Sequence, residues 1–212
     1  MSALLGLAGL SACSSAVLQT AGDTLQLFRD APSGYPRSRA EIDALPYAQL
    51  GVRFGSAPPG IFVLAQLRGD RLYWVSANNL LIVTRHGRIV ETRGFPLDVK
   101  ILDASGEDWL GRYQPGAVPG PAAPLQLRVP AVPELSGPLE LSLHPRQTEA
   151  LDIHGLPVEA LRVEEHVHAP SLQWSAVNVF WLSQRSHLVW RSVQHLGPDF
   201  PPMQLELLKR PG

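Results

Sequence analysis

From Ala48 onward, apolar and polar positions alternate with a period of two. Leu50, Val52 and Phe54 alternate with Gly51, Arg53 and Gly55, which predicts a strand with one buried face. After Pro58-Pro59-Gly60, the run Ile61-Phe62-Val63-Leu64-Ala65-Gln66-Leu67 is mostly apolar and suits a strand covered on both faces. Gly69-Asp70 turns the chain into Leu72-Tyr73-Trp74-Val75-Ser76, and Asn78-Asn79 turns it again into Leu80-Leu81-Ile82-Val83-Thr84. His86-Gly87 then leads into Ile89-Val90-Glu91-Thr92. Gly, Asn, Asp and His are the residues that best tolerate the positive φ of tight hairpin turns. Consecutive strands joined in this way predict an antiparallel meander.

Gly94 to Arg112 is expected to be a connection, and Gly111 to Pro124, rich in Gly, Pro and Ala, an exposed loop. A second β block begins at Leu125. Leu125-Gln126-Leu127-Arg128-Val129 and Leu139-Glu140-Leu141-Ser142-Leu143 both alternate. Leu151-Asp152-Ile153 turns at His154-Gly155 into a long strand, Val158 to His168. The last strands are Val177–Leu182, Leu188–Val193 and Gln204–Leu208. Roughly a dozen short strands in one domain should curl or split into layers to cover their edges. The expected fold is mainly β, a large antiparallel meander forming a barrel or a sandwich.

The N-terminal part follows a different pattern. Ser38-Arg39-Ala40-Glu41 has capping-box spacing, so a helix starts there and ends near Leu45, before Pro46. A second short amphipathic helix is expected within Asp23–Ala31, giving one or two short N-terminal helices. Ahead of it, a small apolar run ends in Leu10-Ser11-Ala12-Cys13, the pattern of a bacterial lipobox. Residues 1–12 are then a signal peptide whose basic start is expected upstream of Met1, because Met1–Leu5 carries no Lys or Arg. Cys13 would carry the lipid, residues 13–22 form a tether, and residues 23–212 form a single β-rich domain. Ser14 and Ser15, rather than Asp, follow the cysteine, so the expected destination is the periplasmic face of the outer membrane.

Composition narrows the partners. The formal net charge is -1 and no long Lys/Arg run is present, which argues against nucleic acid, whose phosphates need a basic face. Cys13 is the only cysteine, so no internal disulfide or multi-cysteine metal site can form. No run reaches the ~18 apolar residues of a membrane-spanning helix, leaving the lipid as the expected anchor. No phosphate loop, dinucleotide fingerprint or serine-hydrolase elbow occurs, and no cofactor is expected.

Glu164-Glu165-His166-Val167-His168 offers metal-ligand chemistry, because Glu164, His166 and His168 share one strand face. Those three span about 13 Å along a strand, too far for one ion, so no metal site is assigned. Asp98, Asp103, Glu107, Asp108, Glu164 and Glu165 are the acids available for sugar hydrolysis, which needs two of them across a cleft. Sequence cannot pair them, and Glu107 and Asp108 are expected in a solvated turn. No catalytic residue is assigned. Tryptophan faces can stack on sugar rings, which makes Trp74, Trp109, Trp181 and Trp190 candidate glycan or partner contacts, with Trp181 and Trp190 near each other across one hairpin.

Several stretches together resemble the YjbF/GfcB family of bacterial lipoproteins, encoded with exopolysaccharide and group 4 capsule genes. They are Tyr47-Ala48, Leu72-Tyr73-Trp74-Val75-Ser76-Ala77, Thr84-Arg85-His86-Gly87-Arg88-Ile89-Val90 with Thr92 and Gly94, Asn178-Val179-Phe180-Trp181, and Val189-Trp190-Arg191-Ser192-Val193-Gln194. The resemblance runs with gaps from Tyr35 to Lys209. It implies a mostly antiparallel β domain on the periplasmic side of the outer membrane, assisting the production or export of surface polysaccharide without catalysis. Binding of the polysaccharide or of export-machinery proteins would then be its task. A polysaccharide-modifying enzyme and a generic envelope scaffold are the alternative readings. No catalytic residue carries over from the family, so Cys13 is the one modified site it implies.

Overall fold

In the computed structural model, which describes residues 34–212, twelve antiparallel strands close on themselves. They are β1 (Gln49–Phe54), β2 (Gly60–Arg68), β3 (Arg71–Ser76), β4 (Leu81–Arg85), β5 (Arg88–Arg93), β6 (Lys100–Leu102), β7 (Leu125–Arg128), β8 (Gly137–Ile153), β9 (Leu156–Ala169), β10 (Trp174–Ser183), β11 (Val189–Gln194) and β12 (Met203–Lys209). Each strand pairs with the next in sequence, and β12 returns to β1 with Val52 opposite Leu205. Closure leaves no edge strand exposed. The expected choice between barrel and sandwich resolves to a barrel.

Alternation supplies the core. Leu50 and Val52 on β1, Trp74 on β3, Ile82 on β4, Leu127 on β7, Val167 on β9 and Leu205 on β12 all point inward into one cluster. Exposed outer positions include Arg93, Lys100, Arg128 and Glu140. Apolar inside and polar outside is the reverse of a membrane-spanning barrel. No helix among the described residues is long and apolar enough to cross a membrane.

The meander turns use the expected residues: Gly69, Asn79, His86 and Gly87 all have positive φ. The capping box is also present. Helix α1 (Arg39–Ala44) starts at Ser38, whose side chain accepts from the Glu41 amide while Glu41 accepts from the Ser38 amide. Ile42 anchors α1 on the outside of the barrel against Ile153 and Leu208. The helix expected within Asp23–Ala31, the signal peptide and the tether lie outside the described residues.

Four expectations need correction. The run Ile61–Leu67 is not covered on both faces; its second half is open, and Leu67 is 59% exposed. The connection Gly94–Arg112 holds a three-residue strand, β6, and a one-turn helix, α2 (Trp109–Arg112). Among the described residues, the second short helix is therefore in mid-chain. Leu139–Leu143 and Leu151–Ile153 are parts of one 17-residue strand. Pro145 suggests a break because it lacks an N–H, but it sits at a bulge between Pro145 and Thr148 where the ladder is interrupted. Past that bulge, the β8–β9 hairpin crosses the outer face of β10–β12, with Leu151 and Ala160 packing near Trp181, Val193 and Trp190. Finally, Asp108 is not in a solvated turn. It caps α2 through the Leu110 amide and is buried.

Candidate functional site: a divided barrel interior

Two features set the interior apart from an ordinary apolar core. One is a buried polar network, and the other is a cavity beside it. Both arise where the two sides of the barrel come close.

The network is centred on Arg88 of β5, which is buried. Its Nε and Nη2 donate to the two oxygens of Asp108 at 2.7 and 3.0 Å. Its Nη1 and Nη2 donate to Glu165 of β9 at 2.9 and 2.6 Å. Glu165, fully buried, also accepts from Trp109 Nε1 at 2.6 Å and from Asn178 Nδ2 at 2.8 Å. Burial alone would raise the Asp108 carboxyl, but the Arg88 charge and its hydrogen bonds outweigh it and hold the carboxyl below its usual range. Burial likewise opposes the Arg88 charge, and the two carboxylates reverse that effect. The Arg88 guanidinium also lies over the Phe180 ring, 5.4 Å from its centroid, a favourable cation–π placement.

A second cross-link runs beside the first. The bulge between Val83 and Thr84 interrupts the β4–β5 ladder. Gln194 of β11 reaches across, accepting from the Ile89 amide and donating to the Gly87 carbonyl, each at 2.9 Å. Gly87 itself approaches β11 so closely that a Cβ there would lie 2.5 Å from Val189 Cγ2. Only a residue without a side chain fits.

This contact divides one end of the barrel. On the β8–β10 side, Trp109, Leu110 and Tyr113 fill the space against Val163, Phe180 and Leu182. On the other side, among β1, β3, β4, β11 and β12, a cavity of about 220 Å³ remains. Leu50, Leu72, Trp74, Val189, Leu205 and Leu207 contribute its apolar wall. Asp70, His86 and His187, from the β2–β3, β4–β5 and β10–β11 turns, stand around its mouth.

The sequence-singled tryptophans are mostly inside. Trp74 is 1% exposed and donates to Thr84 Oγ1 at 2.8 Å while its ring walls the cavity. Trp109 belongs to the Arg88 network, and Trp181 is buried under the β8–β9 hairpin with its indole N–H on Glu149. Trp190 is half-buried and shares the Trp181 cluster, opposite the bulge between Trp181 and Leu182.

The acids are likewise engaged. Asp98 accepts from the Gly94 and Phe95 amides, and Asp103 accepts from the Glu107 and Asp108 amides. Glu107 is exposed, 3.8 Å from Arg112. Glu164 faces outward, bound by Arg146 and Arg162. The His166 ring packs at a tilt against His144 with centroids 4.1 Å apart, and His168 Nδ1 lies 2.9 Å from Ser175 Oγ. Among the described residues, no group of three His, Cys, Asp or Glu is placed to hold a metal ion.

Sequence reasoning missed Arg88, Gln194 and the inward role of Glu165. For Glu165 the signal was present, because it shares a strand face with Val163 and Val167, both buried. The stretches carrying the family resemblance now have physical roles. Thr84 anchors Trp74, Gly87 permits the close approach, Arg88 and Gln194 cross-link the interior, and Ser76 Oγ accepts from the Leu80 amide at the β3–β4 turn.

Comparison with known proteins places the chain in a family. Residues 22–208 match the family model described as the group 4 capsule polysaccharide lipoprotein GfcB, YjbF. The uncharacterized lipoprotein GfcB of Escherichia coli (strain K12) is 26% identical over 172 residues, covering 80% of this chain and 79% of that protein. The crystal structure of the lipoprotein YmcC from Escherichia coli (K12) superposes with a TM-score of 0.71 at 22% identity, covering 90% of this chain and 95% of that one. That likeness speaks for the barrel fold.

Proposed function

Since the chain belongs to the group 4 capsule polysaccharide lipoprotein family, we propose that it assists the production or export of surface polysaccharide from the periplasmic face of the outer membrane. A lipid on Cys13 holds it there, and its task is binding or assembly, with the glycan or an export-machinery protein as partner. The family match across residues 22–208 carries this reading. Two further observations support it. The described barrel turns the apolar side chains of its main core inward, so its attachment to a membrane would rest on an added lipid. Asp108 and Glu165, both buried, grip Arg88, a structural use that leaves neither as a free acid or base.

The test is deletion of the gene in a strain that makes the polysaccharide, with complementation by the wild-type chain and by Cys13→Ser. Surface polysaccharide should fall on deletion and return with the wild type, and return poorly with Cys13→Ser. Unchanged polysaccharide in the deletion strain refutes the reading.

A further inference from the structure

We infer that the cavity beside Trp74 is a binding site for one aliphatic chain, acyl or isoprenyl, of an amphiphile whose polar head stays at the mouth. The wall composition favours an apolar ligand. Leucines, a valine and an indole make up most of its side chains, with Thr84, Arg191 and Ser192 among them, and a mainly apolar cavity favours apolar guests.

The few polar groups in the lining already have partners. Thr84 Oγ1 accepts from Trp74, and Ser192 Oγ accepts from Gln194 Nε2 at 2.9 Å. Asp70 is held by Arg85, and Arg191 donates to Glu206 and to the Asp152 carbonyl. A sugar bound here would bury hydroxyls without partners, which is costly. An alkyl chain asks for none.

Shape agrees with chemistry. The wall extends from Leu72 to Trp74 along β3 and from Leu207 to Leu205 along β12. Two residues of strand are about 7 Å, so the cavity runs along the barrel axis rather than lying as a shallow dish. Leu67 stands at the entrance, 59% exposed, as an apolar lip. Around it, Asp70, His86 and His187 form a polar rim suited to a hydrated head group.

This deepens the reading above: at a membrane surface, the chain would come from a phospholipid or from an isoprenyl phosphate that carries glycan. The two sources share the alkyl chemistry and differ in the head group and in chain branching.

The test uses the full chain with Cys13→Ser, purified without detergent, and cis-parinaric acid as a linear fluorescent probe. Saturable fluorescence enhancement at a single site is expected. Displacement by palmitate, by farnesyl phosphate or by both supports the site and assigns the source. Leu188→Trp, which fills the cavity from its lining, and Leu67→Asp, which makes the lip polar, should weaken binding about tenfold. Leu67 is exposed, so its variant keeps the fold even if Leu188→Trp does not. Absence of probe binding overturns the inference, as does unchanged affinity in both folded variants or displacement by a soluble oligosaccharide. If binding fails while gene deletion still lowers polysaccharide, this inference alone falls. If binding holds and deletion has no effect, the functional proposal falls instead.

Discussion

Arg88 and Glu165 are 77 positions apart in sequence, yet two of their hydrogen bonds, at 2.9 and 2.6 Å, tie β5 to β9 through the barrel interior. Asp108 completes the cluster, so one buried cation serves two buried carboxylates.

Removing that cation strands two charges in a low-dielectric interior. Arg88→Ala should destabilise the protein by roughly 3–5 kcal/mol, read from urea unfolding. Glu165→Gln should cost less, because Arg88 and Asp108 remain a balanced pair. Equal losses for the two variants would contradict the charge argument.

Gln194 meets the Ile89 amide and the Gly87 carbonyl exposed by the β4–β5 bulge. Gln194→Leu keeps the bulk and removes both partners, at an expected cost of about 1–3 kcal/mol for each backbone group left unpaired. Amide exchange at Ile89 should accelerate more than at Val83.

Gly87 combines a φ of 88° with a 2.5 Å approach to Val189. Gly87→Ala is both strained and sterically blocked, and should lower the melting temperature by several degrees, as a loss of roughly 1–3 kcal/mol does. A variant as stable as wild type would mean that the two sides of the barrel are not held this close.

Burial pushes the His195 imidazole down from 6.5 to about 4. Between those values the unfolded chain binds a proton that the folded chain does not. Stability is therefore full above the upper value and falls as pH drops through the window, by up to about 1.4 kcal/mol per pH unit. Urea midpoints at neutral pH and near pH 5 should differ in the wild type and differ less in His195→Gln.

Cys13→Ser should leave a folded barrel that fractionates with the soluble periplasmic proteins. Retention of this variant in the membrane fraction would mean that something other than a lipid on Cys13 anchors the chain.

Short-range chemistry was legible in the sequence. The capping box at Ser38 and Glu41 depends on residues three apart, and the turns at Gly69, Asn79 and His86-Gly87 depend on one or two residues that accept positive φ. Period-two alternation identified most strands for the same local reason, and the signal that turns Glu165 inward with Val163 and Val167 was there but went unread. The family resemblance supplied the polysaccharide context, and the lipobox pattern is the ground for proposing a lipid on Cys13. Tertiary structure alone decided the rest, because closing the barrel sets which distant residues meet. Pro145 lies within a single strand only because the bulge removes the need for its N–H. Arg88 finds Asp108 and Glu165, Gly87 meets Val189, and a cavity remains beside Trp74, all through the way opposite walls approach. That approach depends on the summed packing of twelve strands, which no local pattern encodes.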